Sequence, residues 1–197
     1  MSLRERKRER TRQALVDAAL ELFERNGYEA TTVAEIAARA EVGTRTFFNY
    51  FPTKEDLLFP EHDLRVRTTL VAIANRSPAE TPAEVLLRAL REAGGEDSDL
   101  VSPLGALRLR LTRTVPAVSA RGLQVQFDAQ QEIAKQLREA FPDELDAVDA
   151  AALVGAFTGA ITGALAVLMA EPVTDLDGVR ERLRAATDQA LRPWVNR

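Results

Sequence analysis

The sequence predicts an all-α fold of about nine helices. No segment alternates apolar and polar residues with the period of a strand, and Ala, Leu, Arg and Glu dominate. Apolar residues recur three and four apart, in runs separated by Gly and Pro. At 197 residues the chain has room for one or two domains with a sizeable core. Its 46% hydrophobic and 28% charged residues suit a folded soluble protein.

Each element has a local reason. Ala14, Leu15, Ala18, Ala19, Leu22 and Phe23 make one face of a first helix over about 10–26, which Gly27 stops. Thr32, with Glu35 three residues on, forms a capping box that opens a second helix, and Val33, Ile36, Ala37 and Ala40 are its apolar stripe. Glu41-Val42-Gly43 turns the chain. Thr44 is expected to cap a short third helix that Pro52 ends. Thr53 and Asp56 are expected to cap a fourth from Lys54, over about 54–75. Further helices follow at about 82–93, 101–114, 116–141, 143–170 and 175–192, set apart by Pro78, Pro82, Gly94-Gly95, Pro116, Pro142 and Pro172. The expected division is a small N-terminal domain over about 1–52 and a larger one over about 53–197.

Net charge is −4 but unevenly spread. Residues 1–54 carry +2 and the remainder −6, and the first twelve residues alone carry +4. A basic arm (Arg4, Arg6, Lys7, Arg8, Arg10, Arg12) ahead of an acidic body points to a polyanion partner at one end. Cys is absent, which excludes disulfides, thiolate metal sites and Cys nucleophiles and fits a reducing cytoplasm. The charged N-terminus lacks the apolar core of a secretory signal.

Two short helices joined by three residues with a Gly in the joint make a helix-turn-helix pattern. The third helix sorts its side chains by phase. Phe47 and Phe51 lie four apart and pack inward with Val42. Arg45 and Asn49 share another face, and Thr46 and Tyr50 form a second outward pair. That polar set suits double-stranded DNA: Arg pairs bidentately with guanine, Asn with adenine, and a Thr methyl meets thymine. Tyr50 and Lys54 suit phosphates.

The run "TTVAEIAARAEVGTRTFFNYFPTKEDLL" resembles the N-terminal signature of the TetR family of bacterial transcriptional regulators, through Thr32, Ile36, Ala37, Val42, Thr46, Phe47, Phe48, Tyr50, Phe51, Lys54, Glu55 and Leu57. The resemblance covers about residues 10–58. It implies a three-helix helix-turn-helix DNA-binding domain followed by a helical ligand-binding and dimerisation domain. It further implies that Thr32 and Thr44 face the phosphate backbone, that Arg45, Thr46 and Asn49 meet base edges, and that Tyr50 and Lys54 hold phosphates. Two positions depart from the family pattern. Glu41 stands where Gly is usual, so the turn must absorb a side chain or a carboxylate lies near DNA. Phe48 stands where Tyr is frequent, and reads as packing rather than contact.

Ala150 to Ala170 is uncharged over 21 residues. Acidic flanks, missing aromatic anchors and an Ala/Gly-rich content argue against a membrane span. Gly155, Gly159 and Gly163 recur every four residues and make a smooth helix face for close approach. The resemblance implies a homodimer through the last two helices, with Gly155, Gly159, Gly163, Leu165 and Leu183 at the interface. It also implies a small-molecule effector of apolar or acyl type, for which Leu107, Leu111, Phe127 and Phe157 are candidate lining and Gln130 a candidate polar anchor.

No phosphate loop, dinucleotide fingerprint or nucleophile elbow is present, so no catalytic residue and no cofactor are assigned. His62 between Glu61 and Asp63 reads as a solvated cluster, and no metal is expected. The expectation is a cytoplasmic, ligand-responsive repressor of a palindromic operator. The alternative is a helical interaction protein or an enzyme without sequence-specific DNA binding.

Overall fold

The computed structural model describes residues 2–60, 62–93, 102–170 and 175–195. Among them are nine α-helices and one short 3-10 turn, and no strand. The helices are α1 (Leu3–Asn26), α2 (Val33–Arg39), α3 (Thr44–Tyr50), α4 (His62–Ala74), α5 (Pro82–Ala93), α6 (Pro103–Thr114), α7 (Pro116–Ala140), α8 (Ala147–Leu168) and α9 (Leu176–Val195). The chain forms two compact units. The first holds Met1–Pro60 and Arg110–Arg121, and the second Glu61–Leu109 and Gly122–Arg197. By packing, then, the first unit takes in a later stretch of chain that no reading of contiguous sequence joins to it.

In the first unit, α1 is longer than its apolar stripe suggests. Ser2 Oγ accepts from the Glu5 amide and the Glu5 carboxylate accepts from the Ser2 amide, a capping box that starts the helix inside the basic arm. α1 buries Leu15, Val16, Ala18, Ala19, Leu22 and Phe23 and packs on α2. The expected capping box at Thr32 and Glu35 is present. After it comes a complete Schellman motif: Val42 N–H reaches Ala37 O at 2.9 Å and Glu41 N–H reaches Ala38 O at 3.1 Å. α3 is capped by Gly43, without a side-chain cap, so Thr44 is its first residue rather than its cap.

The expected fourth helix from Lys54 is broken. A 3-10 turn, Glu55–Leu58, buries Leu57 and Leu58, and α4 begins only at His62. Pro60 is the reason: it lacks an N–H and pushes Phe59 out of the helical region, to φ −127 and ψ 43. Asp56 accepts from the Thr53 amide and hydroxyl at 2.9 Å each, as its spacing predicts. Its other oxygen accepts from Arg121 Nε at 2.7 Å, which ties the start of α7 to this turn.

The second unit is a helix bundle in which α5 packs on α4 and α9, and α8 on α9. Its core gathers Ile73, Val85, Leu86, Leu137, Leu153, Val154, Phe157 and Leu191, among others. A smaller cluster, Leu165, Met169, Val179 and Leu183, closes the far ends of α8 and α9. Asp146 caps α8, accepting from the Val148 and Asp149 amides at 2.8 Å. α8 therefore starts later than the 143 expected, because the residues after Pro142 are spent on a turn.

Candidate nucleic-acid interface

The candidate interface is the outward side of α3 with its flanks. α3 is held from behind: Phe47 is fully buried, Phe51 is 1% exposed, and their ring centroids lie 6.1 Å apart. With that side inward, Thr44, Arg45, Phe48 and Asn49 are exposed, and Thr46 and Tyr50 are half-buried. The helical phase read from the sequence therefore presents the Arg45 and Asn49 pair together, with Thr46 and Tyr50 at the edges. Phe48 does not pack away. It meets the Phe47 ring edge-on at 5.3 Å yet keeps 54% of its surface exposed.

Thr32 is exposed, but its hydroxyl is engaged with Glu35 at 2.8 Å. Backbone and side-chain hydrogen bonds from Thr32 hold the exposed Glu35 carboxyl below the usual range. Lys54 has an internal role. Its ammonium donates to Tyr28 O at 2.9 Å and Thr31 O at 3.0 Å and lies 4.0 Å from the Tyr28 ring centroid. Two of its three N–H donors are thus committed to carbonyls of the turn between α1 and α2. Tyr28 completes this lock by donating to Glu55. Burial, followed by the Glu55 hydrogen bond and charge, pushes the Tyr28 phenol well up. Burial opposes ionisation of Glu55, but the Tyr28, backbone and Thr53 hydrogen bonds and the Lys54 charge outweigh it and lower its pKa. A carboxyl lowered in this way adds stability above the ordinary glutamate pKa. That stability is lost as pH falls through its folded value.

The arm divides along α1. Arg12, half-buried, donates to Pro60 O and lies 4.6 Å from the Phe51 ring centroid, so it fastens α1 to the chain after α3. Arg4, Arg6, Lys7, Arg8 and Arg10 are exposed on a continuous helix, and Arg8 lies over the Tyr50 ring at 5.9 Å. A helical arm carrying these charges was not legible from charge alone. The signal that would have found it is the Ser2 and Glu5 spacing.

Glu41 sits at φ 56, in the left-handed region, and is the only described non-Gly residue with positive φ. Its carboxylate is exposed. The left-handed position of a Schellman motif favours Gly because a Cβ crowds the following carbonyl, at about 1–2 kcal/mol. Glu41→Gly is accordingly expected to stabilise the first unit by about 1 kcal/mol, part of the relief being offset by the freer unfolded chain. A denaturant midpoint that stays put or falls would show that the turn carries no such strain.

The candidate ligand residues fall in both units. Leu107 is buried in α6, Phe157 is part of the second unit's core, and Leu111 belongs to the first unit. Gln130 donates to Thr158 Oγ1, joining α7 to α8. Phe127 is 55% exposed. α7 buries Val118, Val125, Ile133 and Leu137, and Phe127 stands two residues from that stripe, on the other side of the helix. Among the candidate dimer residues, Leu165 and Leu183 are buried against each other's helices within the protomer, because the α8–α9 pair needs them as its own core. The glycines differ: Gly159 and Gly163 are exposed, Gly155 is half-buried, and a Cβ at any of the three meets nothing within 4 Å. Val148 and Val167 stand 75% and 73% exposed on the same helix. Of the described helices, α8 alone is long and apolar enough to cross a membrane by length and composition. The Glu61–His62–Asp63 side chains lie outside the described residues.

Residues 15–59 match a family described as bacterial regulatory proteins, tetR family. The HTH-type transcriptional regulator TcmR of Streptomyces glaucescens is 39% identical over 115 residues, which are 57% of this chain and 51% of that protein. The chain spans about half the length of this curated relative and less of some others. FadR of Thermus thermophilus, a TetR-family transcriptional repressor solved with lauroyl-CoA, is 24% identical and superposes with a TM-score of 0.57, covering 91% of this chain and 93% of that one. FadR of Bacillus subtilis, solved with stearoyl-CoA, is 19% identical with a TM-score of 0.58 over 93% and 97%. At these identities the two structures establish a shared fold.

Proposed function

From a chain that belongs to the tetR family of bacterial regulatory proteins, we propose a ligand-responsive transcriptional repressor that binds a palindromic operator as a homodimer in the cytoplasm. The observation that carries this reading is the orientation of α3. Its Phe47 and Phe51 are buried, so Arg45 and Asn49, chemically matched to guanine and adenine edges, face out together. Thr44, Thr46 and Tyr50 flank them, suited to sugar-phosphate or thymine. Thr32 serves first as the cap that sets the α2 start. The exposed cations Arg4, Arg6, Lys7, Arg8 and Arg10 supply sequence-independent attraction. The reading assigns DNA recognition to about 1–52 and effector binding and dimerisation to the remainder.

Dimerisation serves the reading function, since two recognition helices about 34–36 Å apart address successive major grooves of a palindrome. The α8 face with Gly155, Gly159 and Gly163 is the surface assigned to it. Three helical glycines cost about 1 kcal/mol each relative to Ala, and among the described residues no neighbour in the protomer needs the space they leave. The effector is of apolar or acyl type, in keeping with the acyl-CoA bound in the two structural relatives. Leu107, Phe157 and Gln130 remain its candidate binding residues. It would release DNA by binding the free shape better than the bound one.

The test is to capture sheared DNA from the source genome with purified protein, and to repeat it with residues 1–10 removed. The expected result is a recovered palindrome, with a truncated protein that keeps the sequence preference but shows a flatter dependence of affinity on salt. A folded dimer that enriches no sequence would overturn the reading.

A further inference from the structure

The outward face of α3 is not uniformly polar. Phe48 lies three residues after Arg45, about 60° around the helix from it, so it borders Arg45 on the exposed side while Asn49 lies on the other side of Arg45. Its edge-on packing with Phe47, at 5.3 Å and 81°, fixes the ring's direction, while 54% of its surface stays open. A single exposed apolar residue needs no explanation on an ordinary surface. Here its neighbour on the exposed side is Arg45, matched to a base edge, and its ring is held by Phe47, a fully buried side chain that cannot move without opening the core. The major groove offers one apolar group at its floor, the thymine C5 methyl, and an aromatic side chain is among those that meet it.

We propose that Phe48 is a specificity-determining residue that reads the C5 methyl of a thymine next to the base addressed by Arg45. This rests on the DNA-binding reading given above and adds an assignment to it. A tyrosine at this position would carry a hydroxyl toward phosphate. Phe48 has none, and its apolar ring instead favours a base with a methyl over one without. Thr46 also has a methyl, on the opposite flank beside Asn49, but it is half-buried where Phe48 is exposed.

The experiment starts from a random-sequence duplex pool, from which the full-length protein selects its preferred duplex. Each thymine of that duplex is then replaced singly by uracil, which lacks only the methyl. The expected result is an affinity loss of about four-fold at one thymine in each half-site, the scale of one buried methyl group. Phe48→Ala should show no uracil penalty at that position, and Phe48→Leu should retain part of it. Because the probe alters the DNA and compares positions within one protein, a general weakening of a variant does not imitate the effect. A selected duplex indifferent to uracil throughout overturns the proposal. So does a Phe48→Ala protein with an unchanged uracil penalty, which would transfer the methyl reading to Thr46. A folded protein that selects no duplex at all removes the DNA-binding reading itself, an outcome distinct from these two.

Discussion

Phe47→Ala is expected to destabilise the first unit by about 3–5 kcal/mol, the range for removing a fully buried aromatic side chain. The residue is completely inaccessible to solvent. Its ring touches those of Phe48 and Phe51, and α3 has only seven residues, with no side-chain cap. So short a helix is marginal by itself and depends on tertiary packing for its existence. The loss should therefore fall on the first unit and leave the second nearly as stable, since none of the second unit's core residues is involved. In a denaturant titration this would appear as an early transition of α1–α3 separating from a later one. A single transition shifted by less than 1 kcal/mol would mean that the cavity collapses or that Phe47 does not hold the helix.

Arg45→Ala is expected to remove discrimination among operator sequences, by roughly 1–3 kcal/mol per half-site for a bidentate base contact, and about twice that in a dimer using both heads. The side chain is exposed, so folding should be unaffected. The comparison that gives this meaning is Arg6→Ala on the arm. It should weaken all sequences alike and reduce the salt slope by about one. Lys54, which its position in the sequence offers as a uniform phosphate contact, is no longer a suitable comparator. Its ammonium is committed to Tyr28 O and Thr31 O, and Lys54→Ala should act through stability. Titrations against selected and scrambled duplexes at two salt concentrations separate these outcomes. Equal losses for Arg45→Ala on both duplexes would make Arg45 a phosphate residue.

What the sequence makes legible is what local period and spacing encode. The four-residue step from Phe47 to Phe51 and from Arg45 to Asn49 assigns both faces of α3 correctly. The Thr32 and Glu35 pair marks the α2 start, and the departure at Glu41 signals the strained turn. Connections over distance are not encoded this way. Lys54 reaches carbonyls 26 and 23 residues back, and Arg121 meets Asp56 across 65. Apolar period reveals a stripe without saying what covers it. Hence Leu165 and Leu183, plausible at an interface, turn out to hold α8 to α9, and Phe127, plausible in a pocket, lies outside the α7 stripe. Pro60 outweighs the capping pair of Thr53 and Asp56, and α4 starts eight residues later than Lys54 as a result.

The membership of Arg110–Arg121 in the first unit bears on how far that unit can be treated as a cassette. Leu111, Val115 and Val118 are buried, and Arg121 supplies the partner of Asp56. A fragment ending at Pro60 would leave that carboxylate without its cation and lose three apolar side chains counted in the same unit. Transplanting residues 1–60 onto another body therefore transfers an incomplete object. The smallest inheritable piece is discontinuous, and the main chain passes between the two units at three places. Recombination within this protein would conserve the first unit only if it also carried the α6–α7 corner along, so its natural unit of exchange is larger than the stretch that carries α1–α3.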